Sequence, residues 1–331
     1  MENLKKNNIF LPTADTLGVE KIRDFEVKEM ARFFEYVRSN YTEEAVFGTR
    51  LKKFIASVRK NNGNVLISAE GLSILEPSGL KSLSNLFHDF QVTVIMVYRA
   101  FGCRLLSVFN QVQKTTSNPE HAFTASLLFR YMDTPWMEDF YMLAQRYSAV
   151  FGRENMVIID YYGVDAAGMN IAQVFLCNAL NVTKFCSSQG GNSNKLIRKD
   201  KIMNPSRDMR KGQLDALFEI YAAAHDCSYR DKENGYFIRD KVTWKHTPRP
   251  AATNFTFLKS HSMYVDQRVR EKYATNIIYG NSTANEEALS EELRYQEIVP
   301  VAALRYSDKF LSEMKATLVM LKSKKLCKRS K

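Results

Sequence analysis

Three uninterrupted apolar runs set the strongest limit on what this chain can become: NVLISAE (64–70), QVTVIMVYR (91–99) and NMVIIDYY (155–162). A strand with one face in water alternates apolar and polar residues, whereas a strand covered on both faces has no need to. Continuous runs rich in Val and Ile therefore predict strands of a parallel sheet. Parallel neighbours need long crossovers, and the segments before and between the runs carry helical spacing. Val27, Met30, Ala31, Phe34 and Val37 recur at that spacing over 27–39, as do Val46, Leu51, Phe54, Ile55 and Val58 over 45–60. Ser78 is expected to cap a helix over 80–87, with Pro77 resisting any backward extension. Further helices are expected over 102–113, 137–151, 168–180, 211–226 and 308–322.

This alternation predicts an α/β chain: a doubly wound, mainly parallel sheet flanked by helices. No linker demands an independent second domain, so residues 1–331 read as one. Residues 1–184 form the sheet-bearing core, 185–323 are helices and loops packed on it, and 324–331 are a basic tail. The polar stretch SSQGGNSNK marks a loop, and 229–300 reads as a mixed region.

Composition narrows the class. Apolar residues at 45% and charged residues at 25% argue against a mostly disordered chain. No apolar run approaches the roughly 18 residues of a membrane span. The opening MENLKKNNIFLPTAD shows neither a signal nor an anchor, which makes the cytoplasm the default location. Five scattered cysteines without a C-x-x-C pair favour reduced thiols. Five histidines without an H-E-x-x-H pattern favour no metal. Four Asn-X-Ser/Thr triplets (Asn40, Asn181, Asn254, Asn281) matter only in a secreted or lumenal protein; composition alone yields roughly two or three.

The charge is +11, from 47 basic and 36 acidic side chains, and it is unevenly placed. LKSKKLCKRSK at the end and KLIRKDKIMNPSRDMRK (195–211) hold much of it. Each is a solvated segment or an attractor of polyanions. The absence of zinc-finger, RNP and KH patterns argues against nucleic acid. Aromatic and basic residues interleaved over 229–273 keep a single-strand stacking surface as a weaker alternative.

In open parallel sheets ligands sit beyond the carboxyl ends of the strands. That rule singles out Ser68, Glu70, Arg99 and Asp160, each of which also has a structural reading as a helix cap or an ion-pair partner. The segment VIMVYRAFGCRLLSVFNQ (94–111) is the most informative. A buried strand runs into Arg99, whose guanidinium offers a planar fork of donors to an anion. Ser107 follows eight residues later inside a helix, on the same turn as Arg104. Spacing of this kind suits a phosphate but also occurs by chance.

Strand, Arg99, Ser107, then Phe109, Asn110 and Gln111 resembles the 3′-phosphate segment of sulfotransferases that use 3′-phosphoadenosine 5′-phosphosulfate (PAPS). VLISAEGLS, with its strand-end S-x-E, resembles a branch of that superfamily. LKKNNIFLPTAD (4–15) and VIIDYYGV (157–164), followed by a helix carrying Phe175, resemble further segments, so the likeness touches about residues 4–180. The resemblance implies a sulfotransferase-like fold of the P-loop NTPase type. Arg99 and Ser107 would hold the 3′-phosphate of PAPS, and Glu70 would take the proton from an acceptor hydroxyl or amine. The acceptor would be a carbohydrate or similar molecule, and no metal is implied.

One departure stands against this. Such enzymes hold the 5′-phosphosulfate in a Lys-Ser/Thr-Gly-Thr loop after an N-terminal strand, and the sequence has none; TADTLG (13–18) lacks the lysine. The expectation is that the chain starts just after the place of that loop. It is then either an incomplete product, transferring sulfuryl groups when complete and at home in the Golgi, or a member of the fold that binds an anion or partner without catalysis.

Overall fold

The computed structural model describes residues 8–11, 36–39, 45–68, 70–105, 107–108, 139–182, 186, 218, 221–222, 224–227, 256–294, 308–323 and 327. The protein is mixed α/β and mostly helical, with short parallel sheets and no closed barrel among the described residues. It divides into two compact units. The first comprises Met1–Arg99, Glu138–Asp200 and Val265–Ala284; the second comprises Ala100–Met137, Lys201–Tyr264 and Asn285–Lys331.

In the first unit, β1 (Ile9–Phe10) pairs in parallel with β2 (Asn64–Val65). Before β2 runs α1 (Ala45–Lys60), which buries Leu51, Ile55 and Val58 at the predicted spacing. Its end is a Schellman motif. Asn62 sits at φ +50°, its amide donates to Arg59 O, and the Gly63 amide donates to Val58 O at 2.9 Å. Arg59 and Lys60 in the last turn complement the helix dipole. The strand expected over 64–70 is only two residues long. Its partner is equally short and lies just ahead of Pro12, which has no amide hydrogen for a ladder.

The second sheet carries the runs legible in the sequence. β3 (Val94–Tyr98) and β4 (Met156–Asp160) pair in parallel over their whole length, Val94 opposite Met156 and Tyr98 opposite Asp160. β5 (Ile277–Ile278) joins the other edge of β4, giving the order β3-β4-β5. The central position of β4 explains why it has no polar alternation: Met156, Ile158, Ile159 and Asp160 are all buried.

Helices cover both faces of this sheet. α2 (Pro77–Leu86) and α3 (Phe140–Phe151) follow the first two apolar runs. Phe140 of α3 meets Tyr98 with ring centroids 4.9 Å apart, on the face of the even-numbered β3 residues. After β4 come α4 (Tyr161–Ala166) and α5 (Ile171–Val174). Val164 and Val174 pack with Ile95, Ile159 and Ile278 on the opposite face.

Ser78 does not cap α2. Glu76 is the N-cap, without a side-chain cap bond, and Pro77 occupies the first turn, where its fixed φ suits a helix and its missing N–H costs nothing. The proline starts the helix instead of preceding it.

In the second unit, residues 101–105 and 107–108 are helical. α6 (Thr256–Tyr273) contributes its residues up to Tyr264 to this unit, and α7 (Ser282–Arg294) its residues from Asn285 onward. The Gly102 amide donates to Ser262 Oγ at 3.2 Å. α8 (Asp308–Ser323) buries Phe310, Met314, Leu318 and Leu321 against Phe218, Ala222 and Cys227. Of the helix expected over 211–226, the described residues 218 and 221–222 are helical; of that over 27–39, residues 36–38 are, and the rest of both lies outside the described residues.

The thiols differ from the sequence reading. Cys177 is bonded to Cys186 and Cys227 to Cys327, while Cys103, outside both bridges, is buried. The sequence signal for reduced thiols was a lack of close spacing, and neither bridge depends on it; the second joins residues 100 positions apart.

Candidate functional site

The carboxyl ends of β3 and β4 lie side by side, as their register requires. The residues just beyond each strand therefore share one edge of the sheet. Arg99 comes directly after β3, and Tyr161 and Tyr162 open α4 directly after β4.

Arg99 is half-buried, and its Nε donates to Tyr162 Oη at 2.8 Å. Its guanidinium carbon lies 5.6 Å from the Tyr162 ring centroid and 5.7 Å from that of Tyr161. The two rings meet edge to face at 5.2 Å. Two electron-rich faces favour a cation between them, and the hydroxyl fixes the turn of the fork. Tyr161 remains 40% exposed, which gives this edge an aromatic surface open to water.

Asp160 does structural work beneath that edge. Its Oδ1 accepts the Gly163 amide at 3.1 Å and caps α4. Its Oδ2 accepts Arg270 Nη2 at 2.8 Å and the Asn281 amide at 2.9 Å. Arg270 also donates from Nε to Asp266 Oδ2 at 2.7 Å, so one guanidinium joins two carboxylates from β4 and α6. Burial works against the Arg270 charge, but its hydrogen bonds to Asp266 and Asp160 outweigh this and lift its pKa above the ordinary value. Burial, then the charge of Asp266, push the Tyr98 hydroxyl well above its usual range, so Tyr98 stays neutral. Asp160 at the strand end is thus a cap and an ion-pair partner, and it is fully buried.

Glu70 opens a 3-10 turn over Glu70–Ile74; its side chain lies outside the described residues. That turn is pinned by α3: Tyr147 Oη donates to Leu72 O and Arg146 Nη2 donates to Ser73 O at 3.1 Å. Ser68 is exposed. Arg99 is the last residue of its segment in the first unit, whereas Ser107 is a half-buried helical residue of the second. Phe109, Asn110 and Gln111 lie outside the described residues, as does the basic segment 195–211.

The strand-end rule singled out Ser68, Glu70, Arg99 and Asp160. It did not find Tyr162, Arg270 or Asp266. The tyrosine pair after β4 was the available signal for the first; no spacing signals an arginine 110 positions from its carboxylate. Among the described residues no cluster of His, Cys, Asp and Glu could hold a metal ion, and no helix is long and apolar enough to cross a membrane. Comparisons with protein-family models, with curated proteins and with solved structures find no match for this chain.

Proposed function

We propose that this chain is a sulfotransferase-like α/β protein of the doubly wound type, binding the 3′-phosphate end of PAPS at the joined carboxyl ends of β3 and β4. The observation that carries the reading is Arg99, oriented between Tyr161 and Tyr162 at that edge. A parallel pair with helices on both faces puts ligands there, and a guanidinium suits a phosphate. Exposed Tyr161 is assigned a stacking face for the nucleotide or for a sugar acceptor. Glu70 is assigned the base that receives the acceptor's proton while the sulfuryl group moves from phosphosulfate to the hydroxyl oxygen or amine nitrogen.

A second reading has a specific basis. No Lys-Ser/Thr-Gly-Thr stretch occurs within residues 1–331, and this favours anion or partner binding at the same edge without transfer. Both readings require Arg99. Calorimetric titration with adenosine 3′,5′-bisphosphate is expected to show binding that Arg99→Ala weakens by at least about 1.5 kcal/mol, the scale of a hydrogen bond to a charged group. Equal affinity in the two proteins removes Arg99 from the site and both readings with it. Sulfuryl transfer to a carbohydrate acceptor, lost in Glu70→Gln with binding intact, separates the first reading from the second.

A further inference from the structure

The four Asn-X-Ser/Thr triplets are not equivalent once folded. Asn181 is exposed in the loop between Cys177 and Cys186, with φ +49°. The left-handed region suits a short polar residue at a surface turn. Its neighbour Val182 is buried, and the Val182 amide donates to Leu176 O at 2.9 Å, so the turn is anchored on one side while Asn181 faces water. Asn281 is different. It is half-buried, its Oδ1 accepts the Ala284 amide at 3.0 Å to start α7, and its own amide donates to buried Asp160. Asn40 and Asn254 lie outside the described residues.

A triplet means something only in a compartment where the transferring machinery is present, and the cysteines bear on that. Four of the five are paired, and the fifth is buried. Stable bridges form and persist where the redox poise is oxidising, and they are rare where glutathione keeps thiols reduced. In eukaryotic cells the lumen of the secretory route forms disulfides and is also where asparagine triplets meet oligosaccharide.

We propose that Asn181 carries an N-linked oligosaccharide, attached in a disulfide-forming lumen, and that Asn281 remains bare. Asn181 Nδ2 forms the new bond to the anomeric carbon of an oligosaccharide carried on a lipid pyrophosphate. The carbon–oxygen bond to the pyrophosphate breaks, the lipid pyrophosphate departs with the electron pair, and the amide nitrogen gives up one proton. No oxidant or reductant enters this step. A bulky hydrated chain on an exposed turn leaves the packed face of α5 undisturbed, whereas one on Asn281 would crowd the start of α7 and the Asp160 cluster behind it. The proposal is independent of the nucleotide reading.

The test uses the full-length protein isolated from the cells that make it. It is unfolded and alkylated without reductant, digested, then treated with peptide N-glycosidase in heavy-oxygen water and mapped by mass. The expected result is one alkylated cysteine, Cys103, heavy-isotope aspartate where Asn181 stood, and unchanged asparagine at Asn281. Five alkylated cysteines, an unlabelled Asn181 peptide, or label at Asn281 each overturn the proposal. Asn181→Gln, made in the same cells, is expected to migrate faster than wild type by one glycan. Unchanged migration overturns the assignment, and the mass map of the wild-type chain decides it where the variant does not accumulate.

Discussion

Arg270 Nη2 meets Asp160 Oδ2 at 2.8 Å across 110 residues of chain, tying the last residue of β4 to α6. The same carboxylate caps α4 and holds the Asn281 amide before α7. One buried acid thus fixes the starts of two helices and the approach of a third. The first of these, α4, carries Tyr161 and Tyr162 beside Arg99.

Removing the cation from this cluster leaves Asp160 and Asp266 buried without their shared partner. Taking one member from a buried ion pair costs about 3–5 kcal/mol, since the remaining charge is uncompensated. Arg270→Met is therefore expected to lower the urea midpoint by a corresponding amount, with the slope unchanged. Asp160→Asn keeps an acceptor for the Gly163 amide and should cost less. The reverse ranking would show that capping outweighs the ion pair.

Gly163 has no room for a side chain. A Cβ there would stand 1.7 Å from Tyr279 O, a backbone atom that cannot swing aside. Gly163→Ala must displace either the α4 start or the segment leading to α7. The expected loss is about 2–4 kcal/mol, at the upper end of overpacking costs, measured by thermal or urea unfolding. Gly168→Ala makes a useful comparison: its φ is +67° with nothing within 4 Å, so only the left-handed backbone is penalised, by about 1 kcal/mol.

Tyr98 gives the alkaline limit a sign. Its hydroxyl is held neutral in the folded protein well above the pH at which an unfolded tyrosine ionises, because burial and the Asp266 charge disfavour phenolate. The stabilisation is fully present below the unfolded pKa of 10.0 and is lost progressively as pH climbs from there toward the folded value. Unfolding free energy should fall by about 1.4 kcal/mol per pH unit above that point for each such tyrosine. Tyr98→Phe should flatten the decline; an unaltered slope would assign it to other groups.

How much of this was legible beforehand depended on whether a buried stripe was apolar. β4 announces itself because a parallel strand in mid-sheet has no wet face, β3 because its apolar run is unbroken even at the sheet edge, and α1, α3 and α8 because their buried positions are mostly aliphatic and aromatic. α6 is as long as any of them but buries Leu258, Ser262, Val265, Asp266, Val269 and Tyr273. Two polar residues interrupt that stripe, and the periodicity disappears in TFLKSHSMYVDQRVREKY. Ser262 takes the Gly102 amide and Asp266 takes Arg270, so the polar members are there for hydrogen-bonding partners and not for packing. For the same reason the strand-end rule reached Arg99 and Asp160 but not the groups that hold them. β5, two isoleucines long, was too short for any pattern to declare.

The Cys227–Cys327 bridge closes a long loop around the α8 core. With a separation of 100 residues, the chain-entropy argument assigns it about 4–5 kcal/mol, carried by restriction of the unfolded chain. Cys227→Ser with Cys327→Ser should lower stability on that scale while leaving bisphosphate binding at Arg99 intact. A comparable change at Cys177–Cys186, whose loop spans only 9 residues, should cost less. Equal losses would mean that native packing around the sulfurs, and not loop length, sets the contribution.

On the proposed reading Tyr162 positions Arg99 for the nucleotide, and that role can be separated from direct contact with ligand. Tyr162→Phe keeps the ring under the guanidinium but removes the hydroxyl that accepts from Nε. The fork then loses this hydrogen bond, and affinity for adenosine 3′,5′-bisphosphate should fall by about 1 kcal/mol, less than the loss in Arg99→Ala. If the tyrosine acts through the arginine, the double variant binds no worse than Arg99→Ala alone, a full coupling in a double-mutant cycle. Additive losses would place the Tyr162 hydroxyl on the nucleotide itself. An unchanged affinity in Tyr162→Phe would mean that the two rings alone set the guanidinium, leaving the hydroxyl with no part in recognition.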